Sequence, residues 1–458
     1  MTTLHDRPSV GPTLPGQPVA QPGLRSRANT RQRLAIATLP LLTFLLFLLI
    51  AIPSKLVFGP LGSAGTPSQM LGLLLLVYWM AVQIVFPQLR YPTYPLRAAM
   101  LLLTASVMAG YIGAMTRPIS GVESSSADRG LLSILSWLGI FLVVAELIAD
   151  REQLDVFLRR LVFAAGALAS FAIFQFATNQ IWINYLVIPG LRADSDASIL
   201  GRNGFTRPPG TALHPIELGA VLTTVLPIAL HYAFYDRGRG RSLLRRWFPV
   251  AAIALAIPIS ISRSAILSSV VVLAFLMPVW PAVRRRWGYL FLAVLGACVY
   301  VLVPGLLGTL TGLFSGLGSD NSAKSRTESY ALAWDFIKRA PLTGRGFRTF
   351  IPDYRILDNQ YLLTTIELGF VGLVAVLALF FTAVYYALRL RRRPGTDPET
   401  KHLLTAMAGA AAAGGLSLAL YDGFSFPMAT SLLFVLFGAI AAAGRLGPRA
   451  DASGQTGP

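Results

Sequence analysis

The chain has 458 residues, of which 54% are hydrophobic and 13% charged, with a mean hydropathy of +0.60. A soluble domain carries about 25% charged residues, so composition excludes an ordinary soluble protein and indicates an integral membrane protein. The formal charge of +18 comes from 39 basic against 21 acidic residues; in a membrane protein such an excess is first a signal of membrane sidedness, and nucleic-acid binding is not needed to explain it.

Residues 1–33 are rich in Pro, Gly and Arg, lack apolar periodicity and read as a disordered tail. The first apolar run starts too late for a cleaved signal peptide. A helix crosses the hydrocarbon with about 20 apolar residues, and on that measure twelve spans follow: 34–52, 69–86, 96–115, 131–149, 157–178, 212–235, 247–262, 264–281, 288–310, 361–388, 402–421 and 425–444. The seventh is the shortest and contains Pro258, and the ninth is interrupted by Pro304. The expected fold is all-α: one polytopic membrane bundle over 34–445, a large loop at 311–360, and disordered tails at 1–33 and 446–458. The lone Cys298 excludes an intramolecular disulfide. His5, His214, His231 and His402 have no metal-ligand spacing, so no metal held by protein ligands alone is expected.

Basic clusters set the orientation. Arg25, Arg27, Arg31 and Arg33 precede the first span; Arg237, Arg239, Arg241, Arg245 and Arg246 follow the sixth; Arg284, Arg285 and Arg286 follow the eighth; Arg389, Arg391, Arg392 and Arg393 follow the tenth. All fall on one side if twelve spans alternate, which makes that side, and both termini, cytoplasmic. The outer loops 116–130, 179–211 and 311–360 are the long ones. They hold Arg192, Arg202, Arg207, Arg345, Arg348 and Arg355, interspersed with Asp194, Asp196, Asp353 and Asp358. Long loops escape the positive-inside bias, so these arginines point to an external anionic ligand.

Four patches concentrate chemistry on the outer face. Arg207-Pro-Pro-Gly-Thr-Ala-Leu-His214-Pro-Ile-Glu217 runs into the sixth span and places Glu217 about one turn inside it, either to hold the bundle together or to position a substrate hydroxyl. Ser262-Arg263-Ser264 divides two apolar runs. A charge at the bilayer centre costs about 2.5–3.5 kcal/mol on insertion scales, and a bland turn has no use for an arginine, whose planar fork of donors suits phosphate oxygens. In the large loop, Tyr330, Trp334 and Ile337 recur at helical spacing, so Asn321–Arg339 reads as an amphipathic surface helix. Pro341-Leu-Thr-Gly344-Arg345-Gly346-Phe347 then makes either a plain turn or a close backbone approach to a ligand. Finally, Asp358, Asn359, Tyr361 and Glu367 crowd the start of the tenth span, which a cavity-facing helix explains and a lipid-facing one does not.

In this order the patches resemble the superfamily of O-antigen ligases and O-antigen (exopolysaccharide) polymerases of bacterial envelopes. The resemblance rests on Arg207, Gly210 and His214-Pro215, on Ser262–Ala265, on Pro341–Phe350 and on Asp358–Gly372, covering about residues 200–375. It implies a GT-C-like membrane glycosyltransferase in the bacterial cytoplasmic membrane, with its active site outside. The reaction would be inverting, metal-independent transfer of a glycan from undecaprenyl diphosphate, with no cofactor. Arg263, Arg207 and Arg345 would bind the diphosphate. Asp358, Glu217 and His214 are the base candidates. Arg202, Arg348, Asn359, Tyr361 and Glu367 would contact substrate. Partners would be the lipid-linked oligosaccharide, membrane lipids, and the flippase and chain-length or export proteins of such a system, with no nucleic acid. Ligase-type members carry a histidine where this chain has Asp358, which favours the polymerase reading over the ligase. A glycolipid transporter is the rival from another class, although transporters place polar sites near the midplane, often within repeated halves.

Overall fold

The computed structural model describes residues 37–87, 93–194, 201–202, 205–235, 242–302, 305, 308 and 321–447. The expected tail at 1–33, residues 448–458 of the other tail and residues 311–320 of the large loop lie outside them. The fold is nearly all-α. Its helices are α1 (Ala37–Ile50), α2 (Pro67–Val85), α3 (Pro95–Met115), α4 (Gly121–Leu147), α5 (Arg151–Thr178) and α6 (Pro215–Tyr235). Then follow α7 (Leu243–Ile259), α8 (Arg263–Leu276), α9 (Ala282–Leu302), α10 (Asn321–Arg339), α11 (Gln360–Arg391), α12 (Pro398–Leu418) and α13 (Pro427–Leu446). Two-residue strands β1 (Leu56–Val57) and β2 (Arg192–Ala193) pair antiparallel, as do β3 (Gly201–Arg202) and β4 (Phe205–Thr206).

Seven helices, α2 to α6, α11 and α13, are long and apolar enough to cross a membrane, and the chain is a multi-pass membrane protein. The innermost layer is α4, α6 and α13, in which 83%, 89% and 100% of the apolar window is buried, against 33% for α2. The outer helices turn Phe44, Phe47, Leu74, Ile84 and Phe163 outward. Apolar residues on the rim as well as in the core are what a lipid solvent selects. Inside, α12 brings the run of small residues Ala406 to Ala413 against α6, α8 and α11; small side chains let membrane helices approach closely.

Several local expectations change. The helix at 121–147 begins ten residues before the predicted span at 131, because Ser120 and Glu123 form a reciprocal capping box that starts it. The outer loop there shrinks accordingly. Residues 263–276 make a shorter helix than the seventh, since Pro278 converts the next residues into a tight 3-10 turn. The 321–339 helix forms, but Tyr330, Trp334 and Ile337 do not share a buried stripe. Ala333 and Ile337 pack with Phe350, Leu357 and Ile366, whereas Tyr330 and Trp334 stay about half exposed. Residues i and i+4 share a helix face, and here it is 333 and 337, not 330 and 334, that face the protein.

Candidate functional site

Two ends of the bundle can be told apart. At the terminal end α1 starts and α13 finishes; at the opposite end the loops 51–66, 116–120, 179–214, 260–262, 340–359 and 419–426 meet. Every predicted site residue lies at or near this loop end.

Arg207 reaches the α7–α8 turn that precedes Arg263. Buried Arg207 donates from Nε to the Ser260 carbonyl at 3.2 Å, three residues before Arg263. Ser262 caps α8 by accepting from the Ala265 N–H, and its hydroxyl lies 2.9 Å from that of Ser264. Arg263 is therefore the first residue of a helix whose N-terminal partial charge also favours an anion. The turn is strained: Ile261 has φ +47°, a conformation that costs a β-branched residue about 1–3 kcal/mol and clusters at functional sites. His214 lies within electrostatic range of Arg207, and its ring sits 6.1 Å from that of Phe426 at a tilt of 55°. Its Nδ1 accepts the Ile216 N–H at 3.1 Å, helping to start α6.

Glu217 does not face a cavity. Its carboxylate is fully buried and accepts the backbone N–H groups of Leu213 at 2.6 Å, Met428 at 2.7 Å and Ala429 at 3.1 Å. It thus caps α13 while tying it to α6. Of the two readings open in the sequence, the geometry is that of the bundle-holding one, through backbone N–H groups.

Arg345 does not join Arg207 and Arg263. Its guanidinium is bound to the buried Glu123 carboxylate, donates to Tyr354 OH at 3.1 Å and lies over the rings of Phe336 and Tyr354. Arg117 adds a 3.7 Å contact to Glu123 and a 3.0 Å bond to the Arg345 carbonyl. The flanking glycines serve backbone, not ligand. Helix α11 is broken at Gly369, with φ +65°, and residues 341–346 fill the break: Arg345 and Gly346 donate to the carbonyls of Ile366 and Glu367, and Phe370 donates to that of Pro341. A Cβ on Gly344 would lie 2.2 Å from the Glu367 carbonyl carbon, and one on Gly369 2.2 Å from the Leu342 oxygen. Only glycine fits either place.

This lock positions Arg348, which also takes a left-handed conformation at φ +61°. Its guanidinium donates to Ser63 Oγ at 3.2 Å and to the Phe424 carbonyl at 3.1 Å. It lines a polar cavity of about 360 Å³ together with Arg129, Arg355, Gln360, Glu367 and Asp422. Burial lowers the Arg348 pKa, and the charge of Arg129 adds to this while Glu367 and Asp422 oppose it; arginine stays cationic throughout. Glu367 accepts from the Phe350 N–H at 3.4 Å, fixing the strained loop. Gln360 accepts from the Phe424 N–H at 2.9 Å, Asn359 caps α11 through the Leu362 N–H, and the Tyr361 hydroxyl donates to the Gly415 carbonyl at 2.7 Å. Asp358 is exposed at the rim and close enough to raise the pKa of Asp422. Arg202 stands in β3, and its side chain lies outside the described residues.

Asp422 is the residue that sequence reasoning passed over. Burial, reinforced by Asp358 and partly offset by Ser425 and Arg348, pushes its carboxyl up to about 6. The segment that carries it, Tyr421–Phe426, joins the two halves of the site: Asp422 and Phe424 line the polar cavity, while Tyr421 and Phe426 pack toward His214. The available signal was an acid in a short Gly- and Pro-containing turn between two long apolar runs. Arg129 was hidden for a different reason, since its loop was expected to be irregular and is helical.

A second, apolar cavity of about 920 Å³ lies between α7, α8 and α9. It reaches from Ile257, Pro258 and Ile266, beside the Arg263 turn, toward Trp247 and Trp280 at the terminal end.

No curated protein matches the chain. Residues 248–377 match the family described as O-antigen ligase, a stretch that runs from α7 through the Arg263 turn, the Arg345–Arg348 loop and the broken part of α11. Through this segment, the chain is similar to the O-antigen ligase family.

Proposed function

We propose that this protein transfers a glycan from a polyprenyl-diphosphate donor to a sugar hydroxyl at the loop end of the bundle, facing outward from the cytoplasmic membrane. The carrying observation is what one end of the bundle holds: Arg207 bonded to the turn that precedes Arg263, the polar cavity of Arg348 and Asp422, and an apolar cavity that reaches Ile257 and Ile266 on either side of that turn. Twelve crossings, with α10 on the outer surface and both termini inside, place all three accordingly. The isoprenoid tail lies in the groove, the diphosphate on Arg207, Arg263 and the α8 N-terminus, and the acceptor sugar in the polar cavity.

As the anomeric C–O bond breaks, its electron pair passes to the diphosphate oxygen. Fixed guanidinium donors stabilise that growing charge, an effect that is usually the largest single term in catalysis. Asp422, with Asp358 at the rim, takes the proton from the attacking hydroxyl. A single displacement of this kind inverts the anomeric centre and needs no metal. Arg345 drops out of the diphosphate site because Glu123 already holds it; Glu217 and Glu367 act by fixing backbone.

Polymerisation is the preferred outcome, the growing chain moving onto the next lipid-linked repeat, since Asp358 stands where ligase-type members carry histidine. A transporter reading gains nothing from the broken helix, whose gap is filled by residues 341–346. The test is reconstitution of the purified protein with a lipid-linked oligosaccharide, resolved on a gel. A ladder is expected. One shifted band would make the enzyme a ligase, and the absence of any new covalent product would reject glycosyl transfer.

A further inference from the structure

On the other flank of α7, a groove of about 770 Å³ runs between α1, α5 and α7. Its walls are apolar, with Phe47, Phe163 and Phe171 among them, and four arginines gather at its terminal end: Arg159, Arg160, Arg245 and Arg246. We propose that this groove binds an anionic diacyl phospholipid, its phosphate on these arginines and an acyl chain along α5. The inference does not depend on the chemistry at the loop end.

Three observations carry it. First, the arginines are built in. Topology signals sit in loops, whereas Arg159 and Arg160 lie inside α5, about 12 Å along the axis from its first residue at 1.5 Å per residue. The Arg159 guanidinium lies 4.8 Å from the centre of the Tyr232 ring, and Arg160 donates across the groove to Thr43 of α1. Arg246 reaches in from α7, and its buried Nε and Nη1 have no hydrogen-bond partner among the described residues. Second, no acidic residue is among those that line the groove, which leaves its lining with a net positive charge. Basic pockets between membrane helices on the cytoplasmic side are the usual place for anionic headgroups. Third, the apolar length fits. From Arg160, at the phosphate, to Phe171 the groove follows α5 for about 16 Å at 1.5 Å per residue, most of the reach of one extended membrane acyl chain.

The experiment is native mass spectrometry of the full chain in detergent, titrated with dioleoylphosphatidylglycerol, dioleoylphosphatidylcholine and undecaprenyl phosphate. Phosphatidylglycerol should bind at least about tenfold more tightly than phosphatidylcholine, a gap of roughly 1.4 kcal/mol. That preference should vanish in the Arg160→Ala/Arg245→Ala double variant. Ala167→Trp, which leaves the arginines in place and fills the groove, should abolish the same binding. Equal binding of the two phospholipids by the unaltered protein would overturn the proposal without any variant. So would a preference that survives both substitutions, or undecaprenyl phosphate displacing phosphatidylglycerol as the species the substitutions remove.

Discussion

At the terminal end, the fully buried Glu146 accepts from Trp79 at 2.9 Å and from Tyr94 at 3.2 Å, and meets Arg97 at 3.2 Å. Close by in kind, His402 accepts from Trp280 at 2.9 Å and faces His231 at 3.2 Å, while Arg445 donates to the Ala145 carbonyl. These polar groups close on one another and leave no polar cavity among them. At the loop end, Glu123, Glu217 and Glu367 are likewise consumed by Arg345 and by backbone N–H groups. Among what they hold in place, however, is the strained turn whose Arg348 borders open volume. A buried charge in a membrane protein is a functional candidate by default, but burial alone does not separate the ends. The difference is whether a cavity remains once the internal partners are counted. Among the described residues of the terminal end, the arginine groove beside α5 passes this test.

Breaking the loop end at its cavity should have the largest effect on rate. Asp422→Asn is expected to slow turnover on the order of 10²–10⁴-fold, the usual worth of a positioned base. In the unaltered enzyme the rate should rise with pH through about 6, where the Asp422 carboxyl ionises. The sign for stability is the reverse. A carboxyl raised in the folded state contributes stability below its unfolded value, and that contribution fades as pH rises through about 6. A pH–rate profile that keeps this inflection in Asp422→Asn would assign it to another group.

Next come the residues that hold the site without touching substrate. Glu123→Ala leaves Arg345 without its carboxylate and should destabilise the protein by about 3–5 kcal/mol. Glu217→Ala abandons three buried N–H donors, each worth about 1–3 kcal/mol. Thermal melts in detergent check both, and an unchanged melting temperature would show that the loop end is not held as described. Glu146→Gln at the terminal end should lower the melting temperature while the turnover of folded protein stays the same, which sharpens the contrast between the ends. The smallest expected effect is none at all: EDTA should leave the rate unaltered, and inhibition reversed by a divalent cation would replace the arginine-only chemistry.

Much of the architecture was legible because period and length decide it. Apolar runs of membrane length became helices, and Asn321–Arg339 formed where its spacing placed it. Arg263 stood out because a cation between two apolar runs demands a reason, and Arg207 is found bonded to the same turn at Ser260. What stayed hidden was set by tertiary contact. The sequence Gly344-Arg345-Gly346 is the same whether it wraps a ligand or a helix break, and only the gap at Gly369 decides between them. Glu217 shows that a carboxylate one turn inside a span can be satisfied entirely by N–H groups from a helix about 210 residues further along the chain. Asp422 sits in a turn too short to register against two apolar runs, and its importance appears only once α11 and α12 bring Asp358 and Arg348 beside it.

The central claim is that Arg263 and its neighbour Arg207 stabilise a departing diphosphate. The most direct test is the initial rate of Arg263→Ala in reconstituted membranes, with the exposed Arg392→Ala at the terminal end as the control and membrane insertion verified for both. The account predicts a loss on the order of 10²–10³-fold for Arg263→Ala, with the control close to the unaltered rate. Full activity in inserted Arg263→Ala would contradict it.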